Sequence, residues 1–281
     1  MKIRSVYEQN KINIPISDLD CGFGKTHTLR IRKFINTFCY PRIYGLLVPK
    51  FVHEQALGLR KLNKSFYFVW RCLQKIFYFW PRPFSVIEWV QGGKGKLKDP
   101  ADFMKISDAT IQTMALVGNI IHSKDYSIID FGCNCGRHLA LLWQIGYRNL
   151  FGVDAMKEGI SEFSRIYPDV YAGSEIYHDT FEHFLSRSAR RSFDVVFSWS
   201  ATIELVHPSF NIVKEICRVA RYQVILVLNE GAQGYTRFWI YEFNKNGFDL
   251  SYALRPLGGY EGIRNYTTSL CCFRRRNLSD A

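Results

Sequence analysis

The sequence predicts an α/β fold, a mostly parallel sheet with helices on both faces, preceded by a largely helical N-terminal extension. Three observations carry this reading. Beyond residue 125, short apolar runs alternate with helical patterns, the rhythm of strand–helix–strand crossovers. The first run, Ile128-Ile129-Asp130-Phe131, bends through Gly132 and Gly136 into His138-Leu-Ala-Leu-Leu-Trp143. A strand that enters a glycine turn and then a helix brings backbone close to a ligand, because a residue without Cβ takes φ > 0 at little cost. The second run, Asn149-Leu-Phe-Gly-Val-Asp154, ends in an acid at the tip of a strand. A carboxylate there is where doubly wound folds hold the ribose hydroxyls of an adenosine.

The elements follow in order. Residues 1–50 lack clean periodicity and are punctuated by Pro15, Pro41 and Pro49, while 51–63 read as helix. Phe66 to Trp80 is aromatic on nearly every side and stops at Pro81 and Pro83. Two placements suit it. It can pack as a lid helix over a site. Alternatively, residues 64–82 can lie in the interface of an anionic membrane, with Trp70 and Trp80 at headgroup level beside Arg71 and Lys75. Gln91-Gly-Gly-Lys-Gly-Lys-Leu-Lys reads as a flexible basic loop without a Walker pattern. The expected organisation is an extension over 1–98 and a domain over 99–281. Asp99 and Pro100 predict a helix start, continuing to about Ile121. The domain then predicts strand 127–131, helix 136–144, strand 149–153, helix 157–166, strand 175–178, helix 180–188, strand 193–198, helix 209–220 and strand 222–228. Segments 246–249 and 267–273 read as a final strand pair, and Arg274-Arg275-Arg276 onward as a solvated tail.

Composition narrows the class. Hydrophobic residues make up 47% of the 281, ample for a buried core. No apolar run reaches the roughly 18–20 residues of a membrane-spanning helix, and the first residues lack a signal-peptide stretch. Eight cysteines without a disulfide rhythm read as reduced thiols of a cytoplasmic protein. The net charge of +12 is uneven: residues 1–120 hold 19 Lys/Arg against 8 Asp/Glu, and 121–281 hold 18 against 17. The basic N-terminal part suits an anionic partner, whether membrane headgroups at the inner face, a nucleotide- or pyrophosphate-linked substrate, or nucleic acid. It equally suits a solvated face that keeps the protein soluble.

The turn Asp130-Phe-Gly132-Cys133-Asn134-Cys135-Gly136-Arg137 resembles motif I of class I S-adenosylmethionine-dependent methyltransferases, with Asn134 in place of the middle glycine. That variant is similar to a bacterial subgroup with Gly-Cys-Asn-x-Gly-Arg-Asn-Leu, associated with surface-glycan and flagellin-sugar loci. The likeness continues through Gly146-Tyr147-Arg148-Asn149-Leu150, Tyr167-Pro168, Phe193-Asp194-Val195-Val196-Phe197, Glu204-Leu-Val-His207-Pro208 and Glu215-Ile-Cys-Arg218-Val219, over roughly residues 125–250. It implies a Rossmann-like seven-stranded methyltransferase sheet with an antiparallel edge, and S-adenosylmethionine as cofactor.

The resemblance also implies roles. Asp130, Gly132, Cys133, Asn134 and Gly136 would form the loop around the amino-acid end of the cofactor. Asp154, with Ala155 beside it, would take the ribose hydroxyls. Asp179 and Thr180 follow the third strand, where the family reads the adenine amino group, and His178 is a rival for that contact. Ser198 and Trp199 end the fourth strand, facing the methionine portion, with core packing of Trp199 as the alternative. Glu204 and His207 are the catalytic candidates, in a Glu-His-x-His-Pro pattern that has lost its first histidine here. His207 titrates near neutral pH and suits a general base, or it caps the next helix. Cys133 and Cys135 lack the further ligands of a metal site and read as packing residues, so no metal is expected. The acceptor implied is a hydroxyl of a small molecule or glycan. Nucleic acid is disfavoured, because Ser198-Trp199-Ser200-Ala201 stands where base-amine enzymes carry Asn/Asp-Pro-Pro-aromatic. An inactive cofactor-binding scaffold is the third reading.

Overall fold

A computed structural model describes residues 104–199, 203, 206, 210–229, 237–254 and 268–276. The extension over 1–98, including 64–82, and the catalytic candidates Glu204 and His207 lie outside the described residues.

Helix α1 spans Asp108–Ile120 and opens on Ser107, whose side chain accepts from the Thr110 backbone N–H at 3.2 Å. A single helix from 99 to about 121 is therefore incorrect. Lys105–Ser107 are non-helical, and the Ser107 hydroxyl satisfies an otherwise orphaned amide and starts a separate helix. There follow β1 (Ile128–Phe131), α2 (Arg137–Gln144), β2 (Leu150–Asp154), α3 (Lys157–Ile166), α4 (Pro168–Ala172), β3 (Glu175–His178), α5 (Phe181–Arg187) and β4 (Phe193–Trp199). Next are α6 (Ile212–Val219), β5 (Ala220–Asn229), α7 (Trp239–Lys245), β6 (Phe248–Leu254) and β7 (Thr268–Arg275). Helix α6 begins at Ile212 rather than 209, because the Asn211 side chain accepts from the Lys214 N–H at 3.1 Å and caps it there.

The seven strands form one sheet in the order β3-β2-β1-β4-β5-β7-β6. The first five are parallel, and β7 runs antiparallel to both β5 and β6. The expected seven-stranded sheet with an antiparallel edge is what the molecule has. Its central strands are apolar at nearly every position because both faces are covered. Val196, Val224, Leu226 and Leu228 point into one core with Phe184, Ile216 and Phe243 of α5, α6 and α7. Val195, Phe197, Ile225 and Val227 point into the other with Val117, Leu139 and Phe163 of α1, α2 and α3.

The end of the sheet where the parallel strands begin is locked by polar side chains. The backbone N–H and hydroxyl of Ser127 both donate to Asp194 Oδ2 at 2.9 Å, and Arg221 donates to Oδ1 at 2.8 Å. Arg275 donates to the carbonyls of Arg221, Cys217 and Ala220 at 2.9, 2.5 and 2.6 Å. Its guanidinium also lies over the Phe248 ring, 4.5 Å from the centroid. Arg276 forks onto Asp249. A solvated tail from Arg274 is thus corrected: Arg274 and Arg275 belong to β7, and Arg275 caps the C-terminal carbonyls of α6, where a cation also meets the negative end of the helix dipole.

Candidate functional site

The site lies at the opposite end, where β1, β2 and β4 finish side by side. From β1 the chain turns through Gly132 at φ 86°, Asn134 at φ 45° and Gly136 at φ 73° before entering α2. Asparagine tolerates the left-handed region better than other side chains, so the departure from glycine at 134 keeps the turn. Gly136 has no such latitude. A Cβ there would fall within the Phe163 ring, in addition to the strained φ. Gly132 and Cys133 donate to the Val153 carbonyl at 2.8 and 3.3 Å, tying the turn to β2.

Asp154 sits at the tip of β2, 8% exposed. The Asn134 N–H donates to its Oδ2 at 2.9 Å and the Met156 N–H to its Oδ1 at 2.7 Å. These two bonds fix the carboxylate and leave each oxygen a lone pair. Burial pushes its pKa up to about 6, against the pull of the two amides. Ala155 follows it, and its carbonyl lies 3.1 Å from His178 Nε2.

Asp130, at the sheet centre, is fully buried, and neither carboxylate oxygen meets a hydrogen-bond partner among the described residues. His138 Nδ1 lies 3.6 Å from its Oδ2. The His138 ring stacks on Trp199, with centroids 4.8 Å apart and planes 11° apart, and meets Phe197 edge-on. Arg137 Nε donates to its other nitrogen, Nε2, at 3.1 Å. Burial lowers the pKa of this imidazole and keeps it neutral. Sequence reasoning passed over Arg137 and His138. The available signal was a polar pair opening an apolar helix directly after the glycine turn, with histidine where the resembling subgroup carries asparagine.

The other expected contacts are placed as follows. Ser198, nearly fully buried, donates its hydroxyl to the Phe131 carbonyl at 2.9 Å across the β1–β4 pair. Asp179 accepts from the Thr180 N–H at 2.8 Å, lies 2.8 and 3.0 Å from His183 Nδ1, and pairs with Arg187. Thr180 caps α5 by accepting from the His183 N–H at 3.3 Å. Asp179 and Thr180 thus build the start of α5, with Asp179 close behind the Asp154 carbonyl that its N–H meets at 3.0 Å. Cys133 and Cys135 are buried free thiols. Among the described residues no group of three or more His, Cys, Asp or Glu side chains could hold a metal, and no helix is long and apolar enough to cross a membrane. Beyond β4, the buried Arg237 donates to the carbonyls of Ile203 and Val206 at 3.3 and 2.6 Å, bracketing Glu204 and immediately preceding His207. Arg237 had no sequence signature, standing alone in a stretch without periodicity.

A glycine turn from the first strand, an acid at the tip of the second and an aromatic end to the fourth stand together at this end of the sheet. Residues 129–228 match the family model described as a methyltransferase domain. The chain carries an S-adenosylmethionine-dependent methyltransferase domain. Solved structures similar to it include the magnesium protoporphyrin IX methyltransferase of Synechocystis with bound cofactor, at 13% identity and a TM-score of 0.46, covering 90% of this chain and 99% of that one. An S-adenosylmethionine-dependent methyltransferase of Mesorhizobium loti aligns at 13% identity and 0.45, covering 59% and 98%. The [4+2]-cyclase SpnF aligns at 11% identity and 0.48, covering 73% and 95%. No curated protein matches the sequence.

The methyltransferase site fits its cofactor, S-adenosylmethionine, on its own chemistry. The Asp130 carboxylate, buried without a hydrogen-bond donor, suits the cationic amino-acid end, since a buried anion needs a compensating partner. The oriented Asp154 carboxylate suits two hydroxyl donors.

Proposed function

We propose that this methyltransferase methylates a hydroxyl of a sugar or similar small polar acceptor, lipid- or nucleotide-linked. The observation that carries the reading is the turn Gly132-Cys133-Asn134-Cys135-Gly136-Arg137, in which Asn134 takes the left-handed conformation and its N–H holds Asp154. This is the motif variant that resembles the glycan-locus subgroup. The end of β4, Ser198-Trp199-Ser200-Ala201, lacks the run that base-amine chemistry uses.

When bound, S-adenosylmethionine supplies a methyl already activated on a sulfonium, so the chain's work is positioning and proton removal. Asp154 orients the ribose, Asp130 faces the amino-acid end, and the stacked Trp199 and His138 rings give a flat apolar wall that keeps water away. His207 takes the proton from the acceptor hydroxyl, and Glu204 is the second catalytic candidate. The buried Arg237 supports this by fixing the backbone on both sides of Glu204. The basic surplus of the N-terminal part of the sequence suits a phosphate-linked sugar or the anionic face of a membrane.

The test is formation of S-adenosylhomocysteine with nucleotide-linked and lipid-linked glycans as acceptors, and RNA as the contrast. Turnover on a glycan, lost at least a hundredfold in His207→Ala with cofactor affinity unchanged, is the expected result (general-base loss is worth about 10²–10⁴). Turnover on RNA alone would replace the acceptor class. Full rate in the His207→Ala variant would remove His207 as the base.

A further inference from the structure

We propose that His138 is a positioning residue for the amino-acid end of the cofactor, acting through Asp130, whose carboxylate its tautomer-locked Nδ1–H faces. The inference rests on the methyltransferase reading of the site and goes beyond the motif, which gives the residue at this position no role.

The lock follows from donor and acceptor chemistry. A guanidinium only donates, so the 3.1 Å contact from Arg137 Nε makes His138 Nε2 an acceptor without a proton. A neutral imidazole then carries its proton on Nδ1. Nδ1 is the atom facing Asp130 Oδ2, at 3.6 Å. A doubly protonated ring would set an Nε2–H against the Arg137 N–H, and burial opposes that form as well. The ring plane is held from two sides by Trp199 stacked on its face and by Phe197 edge-on. The Nδ1–H direction is therefore fixed by packing.

The two oxygens of Asp130 thereby become different. Neither oxygen has a partner within hydrogen-bond distance among the described residues, although the side chain is fully buried, but Oδ2 looks onto the His138 Nδ1–H at 3.6 Å while Oδ1 has no such neighbour. A buried carboxylate with one oriented and one open oxygen accepts a single cationic donor in a set direction. The α-ammonium of the cofactor is a donor of that kind, and the adenosine end offers none. His138 itself, with Nε2 taken by Arg137, is not the general base.

The experiment compares two ligands that share the adenosine and the thioether. S-adenosylhomocysteine carries the amino-acid end and 5′-methylthioadenosine lacks it. Binding of each is measured by calorimetry to the wild-type protein and to two variants, with thermal unfolding as a check on folding. His138→Phe keeps an aromatic ring for Trp199 but removes both nitrogens. His138→Asn returns an amide N–H near the place of Nδ1. The expected result for His138→Phe is about a tenfold loss of affinity for S-adenosylhomocysteine, the loss of one charge-assisted contact, with 5′-methylthioadenosine changed less than about twofold, within RT. His138→Asn should recover most of the loss. Equal weakening of both ligands, unchanged binding of S-adenosylhomocysteine, or a His138→Asn variant as weak as His138→Phe would overturn the donor role. A wild-type protein that binds neither ligand would overturn the cofactor reading itself, a distinguishable outcome.

Discussion

Two aspartates on neighbouring strands divide the molecule into an end that is built and an end that is built for something else. Asp194 stands second in β4 and Asp130 lies within β1, and both are buried. Asp194 accepts from the Ser127 N–H, the Ser127 hydroxyl and Arg221. Asp130 accepts from nothing within hydrogen-bond distance among the described residues. The first satisfies its own burial and stitches the sheet. The second leaves a desolvated charge uncompensated, which folding alone does not reward. Where a fold keeps a polar group at such a cost, its function is sought in a ligand.

Three measurements can break that contrast or sharpen it. The largest effect is expected at Gly136→Ala, where an added methyl meets the Phe163 ring at a positive φ. Strain and overpacking together predict a loss of about 3 kcal/mol or more in urea unfolding, and cofactor binding should fall with the turn. A variant as stable as wild type would show that the turn yields easily. Next is the pair of aspartates. Asp194→Ala should lose about 3 kcal/mol, since three donors are left without an acceptor. Asp130→Asn should gain about 1 kcal/mol without cofactor, relieving an unpaired buried charge, and should bind S-adenosylhomocysteine more weakly. Losses of equal size from both would end the distinction between the two ends.

The smallest effect is the pH response of Asp154. Its pKa in the folded protein is raised to about 6, so the folded state holds a proton that the unfolded chain has already released. Unfolding free energy without cofactor should therefore fall as pH rises from the ordinary carboxylate range to about 6. Cofactor affinity should change in the opposite sense, because two ribose hydroxyls need an ionised acceptor. It should weaken as pH drops through about 6, by at most about tenfold per unit. Calorimetric titrations between pH 5 and 8 (the span over which such a group changes charge) check both signs. A flat affinity profile would exclude Asp154 from the ribose contact.

Much of the sheet was legible because its signals are local. Strand 175–178 and helix 157–166 are found at their predicted bounds, marked by a β-rich run after Gly173 and by an amphipathic period. The end of β2 at Asp154 was readable because a carboxylate closes an apolar run. What was missed depends on partners distant in sequence. Helix α7, Trp-Ile-Tyr-Glu-Phe-Asn-Lys, is apolar or aromatic around much of its short length and shows no face until β6 and α6 cover it. Short α4 hides behind Pro168, which equally marks a loop. Arg275 sat in a basic run that composition alone assigns to solvent, yet its guanidinium serves carbonyls some 54 to 58 positions away. His138 was hidden for the same reason. Its role comes from Asp130, Arg137 and Trp199 together, and a lone histidine in an apolar helix is ordinary packing.

The place of β7 sets a schedule for the ribosome. It is the last of the described strands to be synthesised, yet it is inserted between β5 and β6. Until residues 268–275 leave the exit tunnel, β5 keeps one edge unpaired and β6 has no neighbour in the sheet. The glycine turn and Asp154 emerge long before, while the apolar edge of β5 stays open to passing chains. A nascent chain stalled before residue 268 is thus the form most in need of a chaperone, and emergence of residues 268–275 is the event that seals the sheet.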